Sequence, residues 1–395
     1  MFRRAVAVVL LLATVPACSA VDEHPVMTVD AAVVLADERV GVRVTGLVAG
    51  STVTIRSETV DRNNVTWRGT AVVQTDRAGV ADLDVAPSTG GSYQGVDGMG
   101  LFWSMVPEGG DPDTGFLAPA RPERGPLEVR LTATGASGAT ASAVVRRQWL
   151  GEGVTHRRVL TGGLVADVYV PPAGGRVRRP VLIFGGSEGG SSQLWEAAQL
   201  ASHGHPAMAL AYFDAPGLPA TLDRVPLEYF AAALRHLAAQ SGGGPVTVIG
   251  YSRGSEAALL VGQHFPDLVR GVVVYAPSDV VHAGYPYDDR PAWTFRGEPV
   301  ARGPIPVDRI SGGLLAIAGG DDELWDSVGS ARRLRERRPD FEILVYPRAG
   351  HFVGTLPHIP TGVGMGGLRM GGTRADDQLA RVEGWPRVLA MLAAS

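Results

Sequence analysis

Val246-Thr247-Val248-Ile249-Gly250-Tyr251-Ser252-Arg253-Gly254-Ser255-Glu256-Ala257-Ala258-Leu259-Leu260 is the stretch that decides the fold. Its first four residues form an apolar, mostly β-branched run, as in a strand buried on both faces. From Ser255 onward the residues are those of a helix. Between them stands Gly250-Tyr251-Ser252-Arg253-Gly254, a Gly-x-Ser-x-Gly pattern with no room for a loop. A strand that turns so abruptly into a helix holds its serine in a strained backbone conformation, and flanking glycines keep side chains from colliding there. The expected product is an exposed nucleophile on Ser252. The pattern recurs at Gly185-Gly186-Ser187-Glu188-Gly189, after the apolar run Val181 to Phe184. Gly189-Gly190-Ser191-Ser192 delays the helix there, so Ser252 and not Ser187 fits the nucleophile elbow.

Working outward, further short apolar runs occur at Ala207–Ala211, Val272–Tyr275, Leu314–Ala318 and Ile343–Tyr346. Helical segments alternate with them at Gln193–His203, Val225–Ala239, Gly254–His264, Ser327–Arg338 and about Asp377–Ala393. Strand and helix in alternation predict a mostly parallel sheet flanked by helices. With the elbow, residues 155–395 resemble an α/β-hydrolase. Two stretches stand apart. Ser278–Ile305, Pro-rich and aromatic, has the place of a lid, and glycine-rich Pro357–Arg374 reads as mobile. Residues 25–148 read differently. Val40–Val44, Thr52–Arg56, Thr66–Val73, Leu127–Thr132 and Ala141–Val145 alternate and are separated by Gly, Asn, Asp and Pro, which predicts an immunoglobulin-like antiparallel β-sandwich. The loop from Gly90 to Trp103 mixes glycines with aromatic residues, and either a packed interface or a wall of a binding site accounts for it.

In the α/β-hydrolase order the acid and then the base follow the nucleophile. After the strand Leu314–Ala318 comes Gly319-Gly320-Asp321-Asp322, and Asp322 is the expected acid, with Asp321 and Asp326 as rivals. His351, in the loop after the last strand, is the expected general base, and His358 competes with it. His203, His205, His236, His264 and His282 precede the acid and read as surface or packing residues. The turn after Phe184 is where such folds place a second oxyanion donor. The Ser187 and Arg253 backbone N–H groups are therefore expected to hold the oxyanion, although a flexible glycine turn without a role also fits the first.

Composition narrows the chemistry. The basic residues are all arginine, which removes a phosphate-cradling P-loop lysine and any lysine Schiff base. Net charge is −4, with arginines scattered among acids, so no nucleic-acid face is expected. Arg3 and Arg4, the apolar run Ala5–Val15 and the small residues to Ala20 have the form of an export signal over residues 1–20. Val15-Pro16-Ala17-Cys18 resembles a bacterial lipobox, which would lipidate Cys18 and bring the protein to a membrane surface in the cell envelope; plain secretion after Ala20 is the other reading. Cys18 is the single cysteine, so disulfides, thiolate metal sites and a cysteine nucleophile are not expected, and no metal or organic cofactor is needed.

Taken together, the chain resembles the acyl-CoA thioesterase and bile acid-CoA:amino acid N-acyltransferase family. The resemblance rests on Gly90-Gly91-Ser92-Tyr93 and Met99 through Glu108 in the first half. In the second half it rests on Met208–Phe213, Leu227–Phe230, the elbow, Gly320-Asp321-Asp322 with Trp325 and Ser327, and Gly350-His351. It implies an immunoglobulin-like domain before an α/β-hydrolase domain, and hydrolysis of acyl thioesters by a Ser–His–Asp triad. The family's transferases resemble it closely but use cysteine, so a serine at 252 favours hydrolysis. An envelope carboxylesterase acting on oxygen esters shares the same triad. An acyltransferase and a non-catalytic binding protein are the remaining readings.

Overall fold

The structure is a computed structural model that describes residues 23–287, 289–354, 356–365 and 367–394. Cys18 and the export signal lie outside the described residues.

Eight strands from residue 155 onward make one sheet: β1 (Thr155–Val159), β2 (Val165–Val170), β3 (Val181–Phe184), β4 (Ala207–Ala211), β5 (Val246–Tyr251), β6 (Val269–Tyr275), β7 (Gly313–Gly319) and β8 (Glu342–Tyr346). Their order is β1-β2-β4-β3-β5-β6-β7-β8. β2 runs antiparallel to both neighbours and the rest pair in parallel. Every residue of β3, β4 and β5 is buried, as a sheet covered on both faces requires. Successive side chains alternate between the faces. Leu182, Val248 and Val274 enter one apolar cluster with Phe230 and Leu234 of the helix Leu227–Gln240. Ile183, Ile249 and Val273 enter the other.

That second cluster runs without a break into the N-terminal β region. Thr52–Val60, Thr66–Gln74, Leu127–Thr134 and Thr140–Gln148 pair antiparallel in a large sheet, and Val26–Val29, Val42–Thr45 and Ala81–Asp82 form a smaller one. Alternate residues such as Val53, Ile55, Val129 and Leu131 fill the space between them. Polar ties lock this region to the helices below. Asp37 accepts from Trp385 Nε1 at 2.7 Å and lies 2.6 Å from His203 Nε2. Arg374 reaches the Trp103 and Met105 carbonyls. The Gly90–Trp103 stretch is packed: a Cβ on Gly100 would stand 2.4 Å from the Tyr93 ring.

Pro357–Arg374 is not the loose segment its glycines suggest. Ile359, Val363 and Met370 are buried, Met370 N–H donates to Val363 O, and Gly364–Met365 pairs with Leu368–Arg369. The glycines there allow close backbone approach: a Cβ on Gly371 would meet Asp321 O at 1.8 Å.

Candidate active site

β5 delivers Ser252 to the C-terminal edge of the sheet, and the helix Arg253–His264 starts at the next residue. Ser252 has φ 54° and ψ −123°, a left-handed conformation that costs a non-glycine residue on the order of 1–3 kcal/mol. The surrounding contacts enforce it. A Cβ on Gly250 would meet Gly254 O at 2.2 Å, and one on Gly254 would meet Gly185 O at 2.3 Å. Ser252 N–H donates to Tyr275 O at 3.0 Å, which ties the turn to β6.

His351 Nε2 lies 2.9 Å from Ser252 Oγ, and its Nδ1 lies 2.9 Å from Asp322 Oδ2. A carboxylate only accepts, so Nδ1 carries the proton and the Nε2 lone pair faces the serine hydroxyl. Asp322 is aimed in turn by the Leu324 and Trp325 N–H groups, which donate to its Oδ1 at 2.9 and 3.4 Å. Of the rivals, Asp321 is exposed, and Asp326 caps the helix Ser327–Arg337 by accepting from Gly329 N–H. His358 is buried against Gln378, its Nδ1 3.1 Å from Gln378 Nε2, and among the described residues is paired with neither Ser252 nor an acid.

His351 is held from several sides. His351 N–H donates to Met370 O, and Tyr251 donates its phenolic hydrogen to His351 O. Asp377 Oδ1 accepts from Gly350 N–H at 2.7 Å. The Trp325 and Tyr251 rings meet the imidazole edge-on, with centroids 5.4 and 5.5 Å away. Sequence reasoning passed over Asp377, which lies in a helix far along the chain with nothing local to mark it. Tyr251, inside the elbow motif, carried a signal: a tyrosine beside a buried nucleophile needs a partner for its hydroxyl.

The turn expected to supply the second oxyanion donor crosses directly over the serine. A Cβ on Gly186 would stand 2.7 Å from Ser252 Cβ and 3.1 Å from its Oγ. Tyr212 OH donates to the Gly185 and Gly186 carbonyls, and Gly186 N–H is taken by Glu188 Oε2 at 2.9 Å. Ser187 follows at once. Arg253 N–H is the first of its helix and so has no intrahelical acceptor. The Arg253 side chain turns away, donating to Ala283 O at 2.6 Å and lying 2.9 Å from Glu256 Oε1.

Ser278–Ile305, the expected lid, is clamped to the same helix through Glu256. This carboxylate is fully buried and accepts from His282 N–H and Trp293 Nε1, with His282 Nδ1 3.0 Å away. His282 also stacks on Trp325, with ring centroids 5.6 Å apart, so this half-exposed side chain packs against the tryptophan that meets His351.

A serine on a strained strand–helix turn, aligned with a histidine and an aspartate at one edge of this sheet, defines the α/β-hydrolase class. Comparisons with known proteins identify the family. Residues 37–161 match the family described as acyl-CoA thioester hydrolase/BAAT N-terminal region, and residues 296–393 match its C-terminal counterpart. Acyl-coenzyme A amino acid N-acyltransferase 1 of Mus musculus is 30% identical over 358 residues, covering 81% of this chain and 84% of that protein. Acyl-coenzyme A thioesterase 1 of Rattus norvegicus is 27% identical over 400 residues, covering 89% and 92%. Among solved structures, MGS-M1, an α/β hydrolase from a deep-sea metagenome, aligns at 18% identity and a TM-score of 0.43, covering 62% of this chain and 100% of that one. The chain belongs to the acyl-CoA thioester hydrolase/BAAT family.

Proposed function

We propose that this protein is a serine hydrolase that cleaves acyl thioesters through an acyl-enzyme on Ser252. The observation that carries the reading is the continuous line Ser252 Oγ, His351 Nε2, His351 Nδ1, Asp322 Oδ2, with both gaps between side chains at 2.9 Å. His351 takes the hydroxyl proton as Oγ adds to the acyl carbonyl. Asp322 holds the imidazole tautomer and stabilises the imidazolium that forms. The Ser187 and Arg253 N–H groups hold the oxyanion, each such donor lowering the barrier by about 3 kcal/mol. Collapse expels the thiolate, which receives the proton from His351. A water deprotonated by the same histidine then releases the acid and restores Ser252.

Family membership supports the thioester, since both named relatives carry acyl-coenzyme A in their names. The test is a rate comparison on purified protein between acyl-CoA or simple acyl thioesters and p-nitrophenyl esters of equal chain length. Higher kcat/KM on the thioesters is expected. A preference for oxygen esters throughout would make the protein a carboxylesterase instead.

The proposal extends to location. Residues 1–20 hold an export signal that is cleaved before Cys18, which becomes the lipidated N-terminus and holds the enzyme at the envelope membrane surface. Mass spectrometry of the mature protein is expected to find a diacylglyceryl-modified Cys18. An unmodified N-terminus at Val21 would mean plain secretion.

A further inference from the structure

The arginines are scattered along the sequence, but the fold gathers four of them around one cavity of about 730 Å³. It lies at the N-terminal edge of the parallel sheet, where Pro180 and Pro206 lead into β3 and β4. Arg157 lines it from β1, and Arg176, Arg178 and Arg179 line it from the segment before β3. Gln240 to Gly243, at the end of the helix Leu227–Gln240, form the facing wall. Ser252 stands at the opposite edge, beyond the whole of β5, which spans about 20 Å at the usual rise of a strand. The cavity is separate from the triad.

Its charge is uncompensated. No carboxylate lines the cavity, and none of the four guanidiniums has an ion pair or hydrogen bond among the described residues. Elsewhere the arginines meet acids: Arg333 and Arg337 share buried Asp279, Arg121 reaches Asp167, and Arg387 reaches Glu342. The helix end offers only about half a negative charge, whereas a guanidinium stays protonated in proteins. Neighbouring groups feel the excess. His236, His205 and Arg270 are lowered from their ordinary pKa values by burial first, with a further push from Arg157, Arg178 and Arg179 respectively. The wall opposite the arginines is open, since a Cβ on Gly242 or Gly243 would meet nothing within 4 Å.

We propose that this cavity is a second binding site, remote from Ser252, for a phosphate group carrying two or more negative charges, held by Arg157, Arg176, Arg178 and Arg179. The planar fork of a guanidinium matches the oxygens of a phosphate and binds them two at a time. A lone carboxylate would neutralise one charge of four. The Ser241 hydroxyl on the facing wall adds a donor. Nucleic acid fits poorly, because no aromatic residue lines the cavity to stack a base. Val168, Val170 and Leu237 offer an apolar surface to the body of the ligand. Val177, 58% exposed between Arg176 and Arg178, sets an apolar tip on the rim. A phospholipid headgroup and a soluble phosphate share this chemistry.

The experiment has two arms and does not depend on turnover at Ser252. Calorimetric titration with inorganic pyrophosphate at low ionic strength reads a soluble phosphate. Flotation with phosphatidylcholine vesicles, with and without phosphatidic acid, reads a headgroup. Saturable binding is expected in at least one arm, and the tighter arm names the source. The double variant Arg178→Gln/Arg179→Gln is expected to weaken that binding about tenfold or more, since each lost partner is a charge-assisted one. Arg332→Gln, at an exposed position on the helix Ser327–Arg337, is expected to leave it unchanged. Near-ultraviolet circular dichroism shows each variant folded. No binding in either arm would overturn the site. So would binding that the double variant keeps in full, or that Arg332→Gln weakens equally.

Discussion

Tyr251 donates its hydroxyl hydrogen to the carbonyl of His351, so the residue before Ser252 fixes the backbone of the histidine that faces that serine. Burial keeps this phenol protonated and available as a donor by pushing its pKa well above the ordinary tyrosine value. Elbow and base are thus one unit. Tyr251→Phe keeps the ring packing and removes only this bond. The expected cost is about 1 kcal/mol in melting stability and roughly a tenfold loss in kcat with KM little changed, since a small misplacement of the base is amplified in rate. An unchanged kcat would show that His351 is held adequately by Met370 and Asp377.

Asp322 and Asp321 are adjacent in sequence and opposite in placement. Asp322→Asn leaves a side chain of the same shape that favours the wrong tautomer of His351, and kcat is expected to fall about 10⁴-fold. Asp321→Asn, at an exposed position, is expected to leave turnover unchanged. Steady-state kinetics on the two variants check the assignment.

Glu256 is the buried anchor between the elbow helix and the Ser278–Ile305 segment. Removing the carboxylate leaves Arg253 and Trp293 Nε1 without their partner in the interior. Glu256→Leu is expected to cost about 3–5 kcal/mol, measured by denaturant unfolding. A loss under about 1 kcal/mol would place this pair among the weak ones.

Two buried groups give the stability profile opposite slopes. Burial raises Glu196 to about 7. Between its unfolded value near 4.5 and that point, the unfolded chain holds fewer protons than the folded one, so stability falls as pH rises through this window. The full loss is roughly 3 kcal/mol by the linkage relation. Glu196→Gln is expected to flatten that limb. Burial first, and then Arg147, lowers His358 to about 3, so the unfolded chain binds the extra proton between about 6.5 and 3, and stability falls as pH falls. His358→Asn, which tolerates the positive φ at this position, is expected to flatten the acid limb. Unfolding free energies measured from pH 4 to 8 check both signs.

The parallel strands were legible because residues buried on both faces must be apolar throughout, as in Val246–Ile249 and Leu314–Ala318. β1 was missed for the matching reason, whereas β2, buried at all but its last residue, was missed because the buried Asp167 breaks its apolar run. β1 is an edge strand reading Thr-His-Arg-Arg-Val, with only its last residue buried. The choice of Ser252 over Ser187 followed from the immediate helix start, which the structure has at Arg253. Loop 357–374 was misjudged because sequence displays the freedom of glycine and not the neighbour that demands it. A Cβ on Gly350 would meet Gly371 O at 2.1 Å, and one on Gly372 would meet Gly350 N at 2.1 Å. The cavity lined by Arg157 and Arg178 was invisible for a related reason, since its walls come from segments far apart in the chain.

The most direct measurement treats mature protein with a fluorophosphonate probe and locates the adduct by peptide mass spectrometry, with thioester turnover followed in parallel. The account predicts a single adduct on Ser252, matched by loss of turnover, and neither labelling nor turnover in Ser252→Ala. Full turnover in the alanine variant, or an adduct on another residue that tracks inactivation, would contradict it.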